Sequence, residues 1–248
     1  MKKVTLLIPC YNEESSLPAL HAALCEIMDS QVQYQWEVLL IDDGSRDQSL
    51  SVMRQLRRKD PRVAFISLSR NFGKENAMLA GFDHASGDCV IILDADLQHP
   101  PALIPDMLHL WEEGAQDVYA RRDIARESWL RRRLSRLYYS LLNRSTRFDV
   151  LENVGDFRLL DRRCILALRQ LRESQRYTKG MYVWIGFKKQ EISYHEQKRT
   201  AGKSSFNFRR LADLAIDGLT SYTTAPLRLS TLIGLLSALL AILYMVYV

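Results

Sequence analysis

Three short apolar runs in this chain each stop at a cluster of oxygen-bearing side chains, and that recurrence limits the fold more than any other feature. Residues 4–8 lead into Pro9-Cys10-Tyr11-Asn12-Glu13-Glu14, residues 36–41 into Asp42-Asp43-Gly44-Ser45, and residues 89–93 into Asp94-Ala95-Asp96-Leu97-Gln98. Short runs of this kind, unbroken over 89–93 and interrupted only by Thr5 and Glu37 in the other two, have the makeup of buried strands. Segments of helical period lie between them. Leu17, Leu20, Leu24, Ile27 and Met28 share one face behind a capping Ser15 or Ser16. Further helices are expected over 48–58 and 76–85, and from Pro100-Pro101 through Trp111; 63–68 and 117–120 read as additional strands. Strands alternating with helices predict an α/β fold: a mainly parallel sheet with helices on both faces. In such sheets ligands collect beyond the carboxyl ends of the strands, where strand order reverses. The three polar clusters belong there.

Alternate side chains share a face along a strand, so Asp94 and Asp96 can point the same way as the chain leaves the sheet. Two carboxylates and the Gln98 amide oxygen are hard ligands suited to Mg2+ or Mn2+ carrying a diphosphate. The D-x-D spacing by itself leaves a plain polar turn open, since such pairs recur by chance. Neither G-x-G-x-x-G nor G-x-x-x-x-G-K-[ST] occurs, which argues against a dinucleotide fold or a P-loop and leaves phosphate to a metal. A net charge of +5 and a pI near 9.0 point to an anionic partner: nucleic acid, a phosphate-bearing substrate or a membrane surface. Cys10, Cys25, Cys89 and Cys164 show no C-x-x-C spacing. They read as small apolar residues in a reducing compartment, not as disulfides or a zinc site.

Residues 227–248 carry a single charge, Arg228, and no polar face. Their length meets the ~20 residues that a helix needs to cross a bilayer. A buried core helix is the competing reading, but the missing polar face favours a transmembrane helix. The span runs to the last residue, so the chain is expected to be truncated after it. No signal peptide is read at the start, where the apolar run after Lys2 and Lys3 stops at Pro9. Residues 206–226 read as a juxtamembrane amphipathic helix, and Arg209 and Arg210 assign the preceding domain, 1–205, to the cytoplasm. Within that domain, 128–143 interleaves Trp129, Leu130, Leu134, Leu137 and Tyr138 with Arg131, Arg132, Arg133 and Arg136. This is the pattern of a membrane-surface helix, or of a sheet-packed helix with a solvated basic face. No aromatic-basic recognition module supports nucleic acid as the partner. The loop Arg199-Thr200-Ala201-Gly202-Lys203-Ser204-Ser205 offers cations, hydroxyls and a glycine suited to a phosphate.

In order along the chain stand Pro9-Cys-Tyr-Asn-Glu-Glu14, Asp42-Asp-Gly-Ser45, Arg70-Asn-Phe-Gly-Lys74, Gly87-Asp88 and Asp94-Ala-Asp-Leu-Gln98. With this series the chain resembles the family 2 glycosyltransferases of the polyprenyl-phosphate type. That group includes dolichol-phosphate mannose synthases, aminoarabinose transferases of lipid A modification and bactoprenol (undecaprenyl-phosphate) glucosyltransferases. Asn153-Val-Gly-Asp-Phe-Arg-Leu159, the 199–205 loop and Asp217-Gly-Leu-Thr-Ser-Tyr222 are most similar to the last branch.

The resemblance implies a GT-A fold and inverting transfer of a hexose from a nucleotide sugar to a polyprenyl phosphate at the inner membrane. UDP-glucose and undecaprenyl phosphate are the branch default. Pro9, Tyr11, Asn12, Glu13, Asp42, Asp43, Arg70, Lys74, Asp94 and Ala95 would then bind the donor. Asp94, Asp96 and Gln98 would hold the divalent metal, Mg2+ or Mn2+. Arg158, Arg199, Lys203, Ser204 and Arg131 would meet acceptor or phosphate, and Asp156, Asp96 and Arg158 would be catalytic. Group members often carry Ser-Lys-Tyr where this chain has Ser204-Ser205-Phe206, which moves the cation to Lys203 or Arg199. The branch usually has two spans, and one is present. Self-association is left open. Because a phosphate monoester has a second pKa near 6, the acceptor needs little help from a base, and Asp156 is expected to orient it or its cations. The competing readings are another sugar (N-acetylglucosamine, galactose, mannose or aminoarabinose), a non-catalytic nucleotide-sugar sensor, and a protein or polysaccharide acceptor. The Gln-x-x-Arg-Trp motif typical of processive polymer synthases is absent.

Overall fold

In the computed structural model, which describes residues 1–122, 133, 154–173, 176, 178–194 and 225–248, all the expected strands enter one sheet. These are β1 (Lys2–Cys10), β2 (Tyr34–Asp42), β3 (Val63–Ser67), β4 (Cys89–Ile92) and β5 (Asp117–Arg122). Two more join them, β6 (Val154–Asp161) and β7 (Lys189–Tyr194). The order of the seven-stranded sheet is β3-β2-β1-β4-β6-β5-β7. β1 pairs in parallel with both β2 and β4, β2 with β3, and β5 with β7; only β6 runs antiparallel to its neighbours. From β1 the chain builds outward through β2 and β3, then returns to place β4 on the other side of β1. That reversal opens the crevice in which an open α/β sheet binds its ligands.

Strand alternation divides the core into two layers. Val4, Leu6 and Ile8 of β1 and Cys89 and Ile91 of β4 face one layer, where α1 (Leu17–Ser30), α2 (Ser49–Lys59) and α4 (Ile104–Glu112) insert Leu20, Leu24, Met53, Met107 and Trp111. Leu7, Val90 and Ile92 face the other, against Met78 and Phe82 of α3 (Lys74–His84), Ile165 and Leu168 of α5 (Arg162–Gln170), and Met181 and Tyr182 of α6 (Thr178–Trp184). Fully burying a side chain such as Leu7 or Phe82 contributes about 1.5–3 kcal/mol, so both layers stabilise the sheet. Pro101–Leu103 forms one 3-10 turn before α4, so the helix proper begins later than the Pro100-Pro101 pair suggested.

The expected serine cap is absent. Ser16 takes the N-cap position of α1 without a capping bond; its hydroxyl instead donates to the backbone oxygen and the carboxylate of Glu13.

By compactness the chain divides into one unit of residues 1–127 and 151–204 and a second of 128–150 and 205–248. In the second, α7 (Ala225–Tyr247) contains an 18-residue stretch, Ser230–Tyr247, of mean hydropathy 2.0. It is long and apolar enough to cross a membrane. Apart from Arg133, which is helical and exposed, the basic segment 128–143 lies outside the described residues, as do most of 206–226 and the loop with Arg199, Lys203 and Ser204.

Candidate active site

Parity and register bring the central group together. The alternation that sends Val90 and Ile92 toward α3 sends Asp94 the same way just past the end of β4. On the antiparallel neighbour β6, Arg158 pairs with Ile92, so Asp156 comes opposite Asp94. Between the two carboxylates stands Lys74, the first residue of α3. Its Nζ lies 2.5 Å from Asp94 Oδ1 and 2.8 Å from Asp156 Oδ2. Burial alone would lower the lysine's affinity for its proton, but the charges of Asp156 and Asp94 more than compensate, and Lys74 is held protonated well above the usual range. Burial would likewise push Asp156 up. The charges of Lys74 and Lys179 outweigh it, and the carboxyl lies well below the usual carboxylate range. Asp156 Oδ1 is buried with no hydrogen-bond partner among the described residues.

Asp43 aims the lysine. Its two oxygens accept the backbone N–H groups of Phe72 (2.8 Å) and Gly73 (2.9 Å), fixing the turn that launches α3. Asp42 works similarly one residue earlier, accepting from the Ser45 N–H (2.9 Å) and the Ser67 hydroxyl (2.7 Å). Both are almost fully covered, 2% and 3% exposed. In this structure both carboxylates shape the loops at the site where the resemblance implied donor binding. Gly44 completes the turn at φ 68°, and a Cβ there would come within 2.4 Å of the Arg70 carbonyl carbon. The end of β2 and the loop after β3 thus touch at a point where only glycine fits.

The loop after β1 is laced to the start of α2. The Asn12 N–H donates to Ser45 Oγ and the Glu13 N–H to Ser49 Oγ, while Asn12 Oδ1 accepts from the Arg46 N–H. Asn12 adopts φ 57° to make this turn. Pro9 pairs with Ile41, the β1 register closes at Cys10 opposite Asp42, and Tyr11 is left 40% exposed at the rim. Arg70 lies outside, its guanidinium 4.4 Å from the Phe72 ring centre.

Beyond β4, Ala95 is buried, Leu97 takes φ 60°, and the Gln98 N–H donates to Asp96 Oδ1 at 3.1 Å. This tight turn replaces the extended continuation expected from strand parity. Glu13 senses the result: burial pushes its carboxyl up, Ser16 opposes, and the charges of Asp96 and Asp94 push it further. Four carboxylates therefore gather beyond the sheet: Asp94 and Asp156 on Lys74, and Asp96 and Glu13 within electrostatic reach of Asp94's side. Such an excess of hard oxygen donors fits a divalent cation, which Asp94 and Asp96 could hold.

Two residues enter the site that sequence reasoning missed. His99 stacks on Phe157 (4.9 Å, 13° between planes) and accepts the Asp94 N–H on Nδ1 at 3.2 Å, so it braces the backbone of the acidic turn. Burial draws its pKa down, against the pull of Asp94. Its one signal was adjacency to Gln98. Lys179, on α6, contributes charge to Asp156, and α6 is seated by Thr178, whose N–H donates to Glu75 Oε2 at 2.9 Å. Arg158, for which the resemblance implied a role at phosphate, lies on β6. It is buried, pairs with Asp117 (3.1 Å) and lies 3.7 Å over the Tyr182 ring, so its charge is largely spent inside the fold. Arg131, Arg199, Lys203 and Ser204 lie outside the described residues.

Comparison with known proteins agrees with this geometry. The model of Glycosyl transferase family 2 matches residues 5–168. The chain is 39% identical to the putative glycosyltransferase CsbB of Bacillus subtilis (strain 168), over 98% of this chain and 74% of that protein. It is 40% identical to the bactoprenol glucosyl transferase of Shigella phage SfV, over 98% of this chain and 79% of that one. In fold it is similar to glucosyl-3-phosphoglycerate synthase from Mycobacterium tuberculosis, solved with Mn2+ and UDP-glucose, at a TM-score of 0.54 and 16% identity, covering 86% of this chain and 75% of that chain. With a parallel sheet that reverses at β1, an acidic turn after β4 and relatives that align along nearly its whole length, the chain belongs to glycosyl transferase family 2 and has the GT-A fold.

Proposed function

We propose that this protein is an inverting glycosyltransferase that moves glucose from UDP-glucose to a polyprenyl phosphate, undecaprenyl phosphate in a bacterium, at the cytoplasmic face of the membrane. The observation that carries the reading is Lys74 held between Asp94 and Asp156 at the reversal of strand order, with Asp96 and Glu13 close enough to Asp94 and to each other to share its field. The choice of glucose and of a lipid phosphate is supported by the 40% identical bactoprenol glucosyl transferase. The apolar helix α7 supports a membrane address.

Asp94, Asp96 and Gln98 would hold Mg2+ or Mn2+, which when bound neutralises charge on a diphosphate leaving group. The chain's own residues do the rest. The loop at Pro9–Glu13, shaped by Ser45, Ser49 and Asp42, forms the wall for the nucleoside, with exposed Tyr11 as its contact surface. Lys74 is the cation poised to meet the diphosphate, and Arg70 stands at the same loop. The acceptor phosphate oxygen attacks the anomeric carbon as the bond to the diphosphate oxygen breaks, inverting that centre. A phosphate monoester with a second pKa near 6 is mostly dianionic at neutral pH, so no strong base is required. Asp156, already ionised and paired with Lys74, serves as a positioning residue for the cations that receive the acceptor; its depressed pKa makes it a poor proton acceptor. Arg158 anchors β6 beneath it through Asp117 and Tyr182.

The reading is tested by incubating membranes that contain the protein with undecaprenyl phosphate and a panel of labelled UDP- and GDP-sugars, with and without chelator. Chelator-sensitive transfer from UDP-glucose to lipid supports it. Transfer from a different donor replaces glucose, and labelled product in polymer or protein alone overturns the lipid acceptor.

A further inference from the structure

The geometry points to a second metal site, for a zinc-class divalent cation, formed by His21, Cys25 and Asp60 on the helical layer outside the active site. His21 and Cys25 are one turn apart on α1, the i, i+4 spacing that places two side chains on one helix face. Asp60, the C-cap residue of α2, reaches them from the turn before β3. His21 Nε2 lies 3.0 Å from Asp60 Oδ2, Cys25 Sγ lies 3.6 Å from His21 Nε2, and Sγ lies 3.8 Å from Asp60 Oδ2. Tetrahedral zinc with bonds of about 2.3 Å to sulfur and about 2.0–2.2 Å to nitrogen and oxygen sets its ligands about 3.3–3.6 Å apart. The Cys25–His21 side of the triangle, 3.6 Å, has that length, and the other two, 3.0 and 3.8 Å, reach it by shifts of a few tenths of an ångström. Sγ is nearly equidistant from the two ring nitrogens, 3.6 and 3.8 Å, so a rotation of the imidazole selects the one that meets the ion.

The surroundings complete the site. Arg62 fixes the Asp60 carboxylate through Nε (3.0 and 3.1 Å) and Nη2 (2.9 Å), and its backbone N–H donates to Oδ1 at 2.9 Å. Metal-ligating carboxylates are characteristically held this way by outer partners. Arg62 also reaches Asp29 (2.8 Å) and approaches Cys25 Sγ (3.5 Å). With Cys25 as thiolate, the three anions Cys25, Asp60 and Asp29 exceed the one cation Arg62 by two charges, which a divalent ion neutralises. The His21 and Cys25 side chains are partly exposed, leaving a route for a water as fourth ligand. Thiolate and imidazole select zinc-class ions over the Mg2+ and Mn2+ suited to an all-oxygen site. Binding releases the Cys25 proton to solvent. The ion clamps α1, which follows directly on the Tyr11–Glu14 loop, to the α2–β3 turn. The sequence hid this site because its ligands are split between two helices, without a C-x-x-C signature.

The test uses the full chain in detergent, reduced and stripped with chelator, then titrated with Co2+. The wild type is expected to show a near-ultraviolet thiolate-to-cobalt band and strong visible bands of tetrahedral cobalt, both abolished by Zn2+. Cys25→Ser should lose the near-ultraviolet band, and His21→Ala should weaken binding at least about tenfold. Asp94→Asn should keep the band, because cobalt held by active-site oxygens gives no thiolate transition. Metal-free melting confirms that each variant is folded, and Cys25→Ser should retain sugar transfer, which separates this site from the catalytic reading. Absence of a thiolate band in the wild type, or its survival in Cys25→Ser, overturns the assignment.

Discussion

Replacing Asp156 by Asn separates a positioning carboxylate from a catalytic base. The change is nearly isosteric and removes one charge from a pair whose carboxylate is buried and whose lysine is 39% exposed, with atoms 2.8 Å apart. Breaking a fully buried ion pair costs about 3–5 kcal/mol and an exposed one about 0–1 kcal/mol. Asp94 still neutralises Lys74 from 2.5 Å, so the loss falls between those limits, about 2 kcal/mol. For a chain of this size that corresponds to a fall in Tm of about 4–8 °C. The pH dependence follows from the direction of the shift. A carboxyl held below its ordinary pKa stabilises the fold above the unfolded value of about 4, and that stabilisation is lost as pH falls toward the folded value. The gap between wild type and variant should therefore be full at neutral pH and narrow in acid. Misplacing a reactant by 1 Å costs about 100-fold in rate, so turnover should drop by that order at saturating donor, equally across neutral and alkaline pH. The assay is the initial rate of lipid-linked product against pH, at a temperature below both melting points. Recovery toward the wild-type rate once pH passes the acceptor's second pKa, near 6, would refute the positioning role and assign Asp156 as the base.

Asp117→Asn leaves the Arg158 guanidinium buried without its counter-charge and should cost about 3–5 kcal/mol, read by thermal melting; an unchanged Tm contradicts the pairing. Gly44→Ala puts a methyl group against the Arg70 backbone at a left-handed φ. The conformational term alone is roughly 1–2 kcal/mol, and because the same turn sets the 70–74 loop, donor affinity should fall as well. Donor binding that survives Gly44→Ala unchanged would show that this loop does not shape the pocket.

The parts of the site that were legible in the sequence are those where one strand end carries its own chemistry. The apolar runs marked β1, β2 and β4, and Tyr11, Asp42 and Asp94 follow them directly, so placing the strands placed the residues. β6 was harder to see because its alternation is carried by charge. Asp156 and Arg158 face the interior yet are satisfied there by Lys74 and Asp117, and a pattern of apolar residues does not register buried ions. β7 is a partly exposed strand with Glu191 on it, and it lacks the apolar run of a central strand. For Asp42 and Asp43 the sequence placed the residues at a strand end but did not show the hydrogen bonds they make. Whether a carboxylate turns outward to a ligand or inward to the N–H groups of a neighbouring loop depends on a contact with residues 67–73, distant in sequence. Ser16 shows the same limit on a smaller scale, since a nearby Glu13 carboxylate outcompetes the helix end for its hydroxyl.

Transfer of labelled glucose from UDP-glucose to undecaprenyl phosphate by wild type and by Asp96→Ala, compared at matched amounts of folded protein, tests the account most directly. Asp96 is half-buried in the turn after β4 and is not among the apolar side chains of either core layer, so the variant should stay folded while its metal-dependent transfer is abolished. Retained transfer in a folded Asp96→Ala protein would contradict the claim that the acidic turn after β4 makes the nucleotide diphosphate leave.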